Sequence, residues 1–458
     1  MRKTKKIVLI VLICIICISL SSCDFSIASV EALMRPPKLS GENSILQDAF
    51  ENYIGKSTDV IMKTPISGEN RSTYMFVDLD NDKVDEALVF YSDPTVDEFA
   101  KAGLFKKLDN KWELVSDIKG QGEEIYDVNF ADINGDKKYE LIFGWSNVAD
   151  NEGSTGSVFG TSSERILTVY DYTGNDINLM ITETFSKMYV GDFNSDNSDE
   201  FLIVNIDLTN VENRATGRIL SYNGDYSVKN DISLQLSGMI EVLNIVTDEV
   251  KLNDNLHTRI YIDGCITETA VITEIIDIEH ESYEITLPLY ENNKSEKPVT
   301  IRDSRTQSVD VDNDGIVEIP TLETLPGGKR ITENGDEFTT LSLTVWSELK
   351  EDTIETEFKS LLNTTYGYMF IFPKEWADKI TAVYNTSTTL LTFYALGEND
   401  ILGSEIFSIM PFSELKWNDD HSGYTKISSS GALVYGYKLK SSSYITIDEI
   451  TDNFVIID

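Results

Sequence analysis

Asp310-Val311-Asp312-Asn313-Asp314-Gly315-Ile316-Val317-Glu318 decides how this chain is read. Acids at relative positions 1, 3, 5 and 9, with glycine at 6, describe a tight turn that points alternate residues inward. Side-chain oxygens of Asp310, Asp312 and Asp314 then converge on one point. The carbonyl of Ile316 adds a fourth oxygen, and Glu318 closes the shell. A flexible shell made only of oxygens suits Ca²⁺, which takes about six to eight of them.

The pattern recurs three times upstream. Positions 1, 3, 5, 7 and 9 are Asp78, Asp80, Asp82, Val84 and Glu86 in the first copy. They are Asp132, Asn134, Asp136, Lys138 and Glu140 in the second, and Asp192, Asn194, Asp196, Ser198 and Glu200 in the third. In chain order these are loops one to three, with the Asp310 stretch as loop four. A single copy is as well explained by a solvated turn. Four in a common frame favour structural Ca²⁺, up to four ions. Flanking strand patterns, and Val89 where an EF-hand would close its loop with glutamate, exclude that motif. The copies are not equal. Position 6 is Lys83, Lys137, Asn197 and Gly315. A left-handed backbone there would cost lysine about 1 kcal/mol relative to glycine. Acid count and glycine together rank the sites four, one, three, two.

Spacing sets the architecture. Loops begin at 78, 132, 192 and 310, intervals of 54, 60 and 118, and the last is twice 59. A repeat without its loop is therefore expected near residue 251, where Thr247–Asp254 does not fit the pattern although strand patterns surround it. Within each repeat, strand patterns enter and leave the loop (Thr73–Val77 and Ala87–Tyr91 in the first). A hairpin with Asn, Asp or Gly at its tip follows, as at Asp109-Asn110, Thr173-Gly174-Asn175 and Asn223-Gly224-Asp225. The expectation is a mainly β fold: a β-propeller of about five four-stranded blades whose inner turns hold Ca²⁺.

These loops resemble the FG-GAP/VCBS repeats of integrin α-subunit heads and bacterial surface proteins. That resemblance covers roughly residues 44–345 and implies a propeller whose blades each bind Ca²⁺ at the first turn. Integrin heads have seven blades, whereas this chain has room for five or six. The phrases Arg35-Pro-Pro-Lys-Leu-Ser-Gly and Asp85-Glu-Ala-Leu-Val-Phe-Tyr resemble a group of lipoproteins from Gram-positive anaerobes.

The chain has 458 residues, 41% of them hydrophobic, and a formal net charge of −39. Such a surface repels phosphate backbones, which excludes nucleic acid as a partner. Residues 1–23 read as an export signal. Arg2, Lys3, Lys5 and Lys6 precede an apolar run from Ile7 to Leu20, too short to span a bilayer comfortably. Leu20-Ser21-Ser22-Cys23 resembles the bacterial lipobox, which implies a lipid on Cys23 and a protein facing outside the cytoplasmic membrane. Only Cys265 then remains, so calcium takes the stapling role that disulfides play in many secreted proteins. Cys265 lies in a strand pattern and reads as a small buried residue.

Residues 24–43 read as a tether, 44–350 as the propeller and 351–458 as a small α+β domain. Near the start, Ser40 or Asn43 caps a helix with Ile45, Ala49, Phe50, Tyr53 and Ile54 on one face and Gly55 as its stop. Thr58–Lys63 could close the ring as an outer strand. In the last domain Ile354–Leu362 is a helix or a last outer strand. A helix starts at Pro373, Trp376 is core, and a helix around Thr446–Asn453 ends the chain. Catalytic signals are weak: His257, His280 and His421 have no triad-like setting, and Gly153–Gly160 lacks the ending of a phosphate loop. The expected function is a surface-exposed binding module for an extracellular glycan, protein or wall polymer and not an enzyme; the alternatives are a polysaccharide-acting enzyme on the same scaffold and a purely structural envelope protein.

Overall fold

The computed structural model describes residues 41–55, 59–147, 165–291, 299–326, 341–397, 402–421 and 423–457. The export signal, Cys23, most of the tether, Ser40 and the Gly153–Gly160 stretch lie outside them.

The chain is mainly β, and its described residues form six antiparallel sheets. Sheet one holds β1 (Ile61–Met62), β2 (Tyr74–Val77), β3 (Glu86–Ser92), β4 (Ala100–Leu108) and β5 (Lys111–Lys119). Sheet two holds β6 (Glu124–Ala131), β7 (Glu140–Ser146), β8 (Arg165–Tyr172) and β9 (Ile177–Phe185). Sheet three holds β10 (Lys187–Gly191), β11 (Glu200–Ile206), β12 (Ala215–Tyr222) and β13 (Val228–Gln235). Sheet four holds β14 (Glu241–Leu252), β15 (Asn255–Cys265), β16 (Val271–Glu279) and β17 (Ile285–Thr286). Sheet five runs β18 (Ile319–Thr324), β19 (Ser342–Lys350), β20 (Thr353–Asn363), β21 (Tyr368–Ile371) and, from the far end of the chain, β27 (Phe454–Ile456). Sheet six holds β22 (Ile380–Asn385), β23 (Leu390–Leu396), β24 (Leu402–Ser413), β25 (Thr425–Ser430) and β26 (Leu433–Leu439). Among the described residues the α-helices are α1 (Glu42–Ile54), α2 (Pro288–Glu291), α3 (Glu414–Asp419) and α4 (Ile447–Asp452).

Each sheet packs on the next, and the alternation of side chains along a strand shows how. Every residue of β3 is buried. Leu88 and Phe90 face sheet two, where they meet Leu141, Phe143 and Trp145. Ala87, Val89 and Tyr91 face the other way, onto Leu46 and Phe50 of α1. The same two-sided logic joins sheets two and three through Ile142 and Ile203, and sheets three and four through Leu202 and Ile260. Tyr261 and Ile319 join sheets four and five; Leu343 and Phe407 join five and six. Strands buried on both faces lose the clean polar alternation of a half-exposed sheet.

The repeat without a loop is confirmed. Strands β14 and β15 meet at a two-residue turn, Asn253-Asp254, both at positive φ. Several expectations are corrected. The boundary at 350 falls inside a hairpin, because β19 and β20 pair from Thr344–Ser360 to Lys350–Thr353. Ile354–Leu362 is the strand alternative, and β27 pairs with β21, so the chain does not end on α4. The C-terminal part is thus a fifth-sheet extension plus a sixth sheet with two six-residue helices. The stretch after Pro373 forms one turn of 3-10 helix, Lys374–Trp376. Trp376 is core, 4% exposed and packed on Phe370, Phe372, Phe393 and Phe407. Ile61–Met62 pairs with Ser92 and Tyr91, in line with β2, rather than adding an outer strand to the last sheet. Gly41, not Asn43, stands at the start of α1 with no side-chain cap, and Leu46 and Phe50 carry its buried face while Ile45 and Tyr53 are exposed. Gly55 stops it with φ 66°.

Candidate metal centres

Loop one connects β2 to β3, loop two β6 to β7 and loop three β10 to β11. Loop four connects an isolated Val309–Glu318 bridge to β18. Each loop is built from its own acids. In loop one Asp78 Oδ1 accepts the Asp82 N–H at 3.1 Å and Oδ2 the Lys83 N–H at 2.9 Å. Asp82 Oδ1 accepts the Val84 N–H at 2.8 Å, and Glu86 Oε2 the Leu79 N–H at 3.1 Å. The same four bonds recur on Asp132, Asp136 and Glu140, on Asp192, Asp196 and Glu200, and on Asp310, Asp314 and Glu318. Carboxylates at positions 1, 5 and 9 thus serve first as caps for turn N–H groups. Position 6 does take the left-handed backbone, with φ of 71° at Lys83, 70° at Lys137, 64° at Asn197 and 94° at Gly315. The four closing glutamates are at most 1% exposed. Burial pushes their carboxyls up, to about 7 for Glu86, Glu140 and Glu318 and about 8 for Glu200, with neighbouring loop acids adding to it.

Position 3 divides the loops. In loop one, carboxylate oxygens of Asp78, Asp80 and Glu86 lie within 4.8 Å of one another, and in loop four those of Asp310, Asp312 and Glu318 do. Each cluster carries a buried oxygen with no hydrogen-bond donor: Asp80 Oδ1 and Glu318 Oε1. A buried, unpaired carboxylate oxygen is expensive, and a cation removes the expense. These two loops could hold a metal ion.

Loops two and three do not present the same shell. Asn134 Nδ2 donates to Glu140 Oε1 at 3.1 Å and to the Tyr226 hydroxyl at 2.8 Å, while its Oδ1 accepts the Asp136 N–H at 2.8 Å. Asn194 Nδ2 donates to Glu200 Oε1 at 3.2 Å and Asp196 Oδ2 at 3.3 Å, with its Oδ1 on the Asp196 N–H at 2.9 Å. Lys229 Nζ adds a resident cation on Asp196 Oδ2 at 3.1 Å. Turning either amide over to offer its oxygen inward would forfeit a backbone bond and a charge-assisted one, roughly 2–4 kcal/mol together.

The residues that clasp these loops from the next sheet lie outside the nine-residue pattern. The Tyr172 hydroxyl lies 3.4 Å from Glu86 Oε1 and donates to the Gly174 carbonyl at 3.0 Å; the Tyr226 hydroxyl donates to Glu140 Oε1 at 2.9 Å. Both tyrosines follow their glutamate by 86 residues, so the signal was there as a second periodicity. Backbone bonds also link the turns. Tyr139 N–H donates to the Leu79 carbonyl at 3.0 Å, and Asp199 N–H to the Asp132 carbonyl at 2.7 Å. Loop four has no loop in sheet four to donate to. Its Val317 N–H instead meets Asp248 Oδ2 at 2.9 Å, a buried carboxylate that also accepts the Tyr261 hydroxyl at 3.0 Å. A side chain replaces the missing loop's carbonyl.

The histidines sit in supporting contacts. His257 Nδ1 lies 2.5 Å from Asp277 Oδ1, and Asp277 also accepts Arg259 Nε at 3.0 Å. His280 pairs with Thr258, and His421 stacks on Trp417. Cys265 is fully buried, and burial pushes its thiol up to about 11.

No protein-family model matches the chain, and no curated protein does. Among solved structures it is similar to a Bacillus licheniformis rhamnogalacturonan lyase, at 13% identity and TM-score 0.28 over 65% of this chain and 64% of that one. It therefore spans less than two thirds of the lyase. It is also similar to a B. megaterium levansucrase mutant, at 10% identity and TM-score 0.25 over 66% of this chain and 88% of that one. Likenesses this weak carry no argument about fold or function.

Proposed function

We propose that the chain is a lipid-anchored, calcium-stabilised propeller that displays a binding face outside the cytoplasmic membrane, its partner an extracellular glycan, protein or wall polymer. The propeller reading is supported by successive antiparallel sheets, each packed on the next, with turns of neighbouring sheets bonded to one another. Helix α1 covers the free face of sheet one, so the ring is read as open there. Cys23 and the signal before it supply the anchor.

One observation carries the calcium reading: two inner turns gather three carboxylates each, and each leaves a buried oxygen unpaired. Asp78, Asp80 and Glu86 would hold one ion and Asp310, Asp312 and Glu318 another. A bound Ca²⁺ supplies positive charge that fixes the turn and the two strands leaving it. At a Kd of roughly 10⁻⁴ M, about 10 mM Ca²⁺ stabilises each site by up to about 2.7 kcal/mol. The test of the binding role is a glycan and wall-polymer array probed with and without Ca²⁺. Retention that needs calcium supports it. Cleavage of an arrayed polysaccharide would make the chain an enzyme instead, and no retention at all would leave a structural protein.

A further inference from the structure

We infer that the chain takes two ions rather than four, because loops two and three are closed by the protein's own donors. The inference rests on the calcium reading of loops one and four and concerns the other two. In loop four the position-3 side chain is Asp312, which accepts the Asp314 N–H with Oδ1 at 3.3 Å and has a second oxygen to offer inward. In loops two and three the corresponding atom is an amide nitrogen, which carries hydrogens and cannot ligate a cation. It points at the closing glutamate in both, at 3.1 Å from Glu140 and 3.2 Å from Glu200.

The closing glutamate is therefore already paired where an ion would have to take it. Glu140 Oε1 receives two donors, the Asn134 amide and the Tyr226 hydroxyl. Glu200 Oε1 receives the Asn194 amide, and the Lys229 ammonium neutralises Asp196 beside it. No acid of loops two and three has a buried oxygen without a partner, unlike Asp80 in loop one and Glu318 in loop four. An incoming ion would have to break these bonds and, in loop three, displace a lysine. Asparagine at position 3 converts a metal-held turn into a self-held one of the same backbone shape.

The experiment counts calcium on the folded chain by native mass spectrometry, alongside melting in Ca²⁺ and in chelator. The expected count is two. Asp80→Ala and Asp312→Ala each lower it by one. Asn134→Asp raises it to three, as does Asn194→Asp combined with Lys229→Met; both variants melt below the parent in chelator and recover in Ca²⁺. A parent count of three or four overturns the division between loops and leaves the calcium reading standing. A count of zero overturns the calcium reading and the division with it. A count of two that survives Asp312→Ala, or that falls in Asn134→Ala, places an ion in the wrong loop and also overturns it.

Discussion

At the scale of single residues, two positions carry identifiable strain or dependence. Lys137 holds φ 70° at a position where loop four has glycine. Lys137→Gly is expected to stabilise the chain by about 1 kcal/mol, read by urea unfolding in chelator so that calcium does not intervene. A destabilised variant would mean that the lysine side chain matters more than its backbone. Asp248 is the second position. It is 6% exposed and satisfies the Val317 N–H and the Tyr261 hydroxyl together. Asp248→Ala strands both donors and is expected to cost about 2–6 kcal/mol, at about 1–3 for each buried group left unpaired. Asp248→Asn keeps an acceptor and should cost visibly less. Equal losses would show that the carboxylate is not bridging the gap left by the missing loop.

At the scale of elements, α1 is the piece whose removal should matter most to sheet one. Phe50 is 2% exposed and meets the Tyr91 ring at 5.0 Å and Phe105 at 6.4 Å. Phe50→Ala is expected to lower stability by about 3–5 kcal/mol, as emptying an aromatic site does. Hydrogen exchange should then show β3–β5 deprotected while sheet six is unchanged. Deprotection spread evenly over all six sheets would refute a local capping role. The periodic hydrophobics of α1 announced a helix, but they did not say which face packs. Ile45 and Tyr53 share its apolar pattern and stay largely exposed, because the sheet's core is met chiefly by Leu46 and Phe50, with Ala49 and Ile54 beside them.

At the scale of the whole molecule, pH acts on all four closing glutamates, and the calcium proposed for loops one and four acts on two of them, Glu86 and Glu318. The four folded carboxyls lie at about 7 to 8, above the ordinary 4.5. A raised carboxyl favours the neutral form in the fold. Its contribution is full below about 4.5 and is lost as pH rises through about 7 to 8. In chelator, Tm is expected to fall between pH 5 and pH 8. Added Ca²⁺ favours the charged form in loops one and four, so the fall should shrink and Tm at pH 8 should rise most. A Tm that is indifferent to calcium at pH 8 would count against ions in either loop. The charge of −39 points the same way, since rising pH adds repulsion that cations relieve.

The repeat, the acidic turns and the loop missing near residue 251 are all legible in the sequence alone. Each is local: the turn is made by side chains within nine residues of one another, and its φ preferences and caps are written in that window. The sequence also ranked loops four and one above three and two, and the three-carboxylate clusters fall in those same two loops. Tertiary structure alone decided the rest. The boundary at 350 failed because β20 reads like either a helix or a strand until β19 is beside it. Strand β27 joins sheet five across more than eighty residues, a distance no local pattern spans. The clasping tyrosines, Lys229 and Asp248 come from other strands or sheets, so their role exists only once those elements are brought against the loops. Whether an acidic turn holds an ion or closes on itself depends on which donors packing places beside its last glutamate.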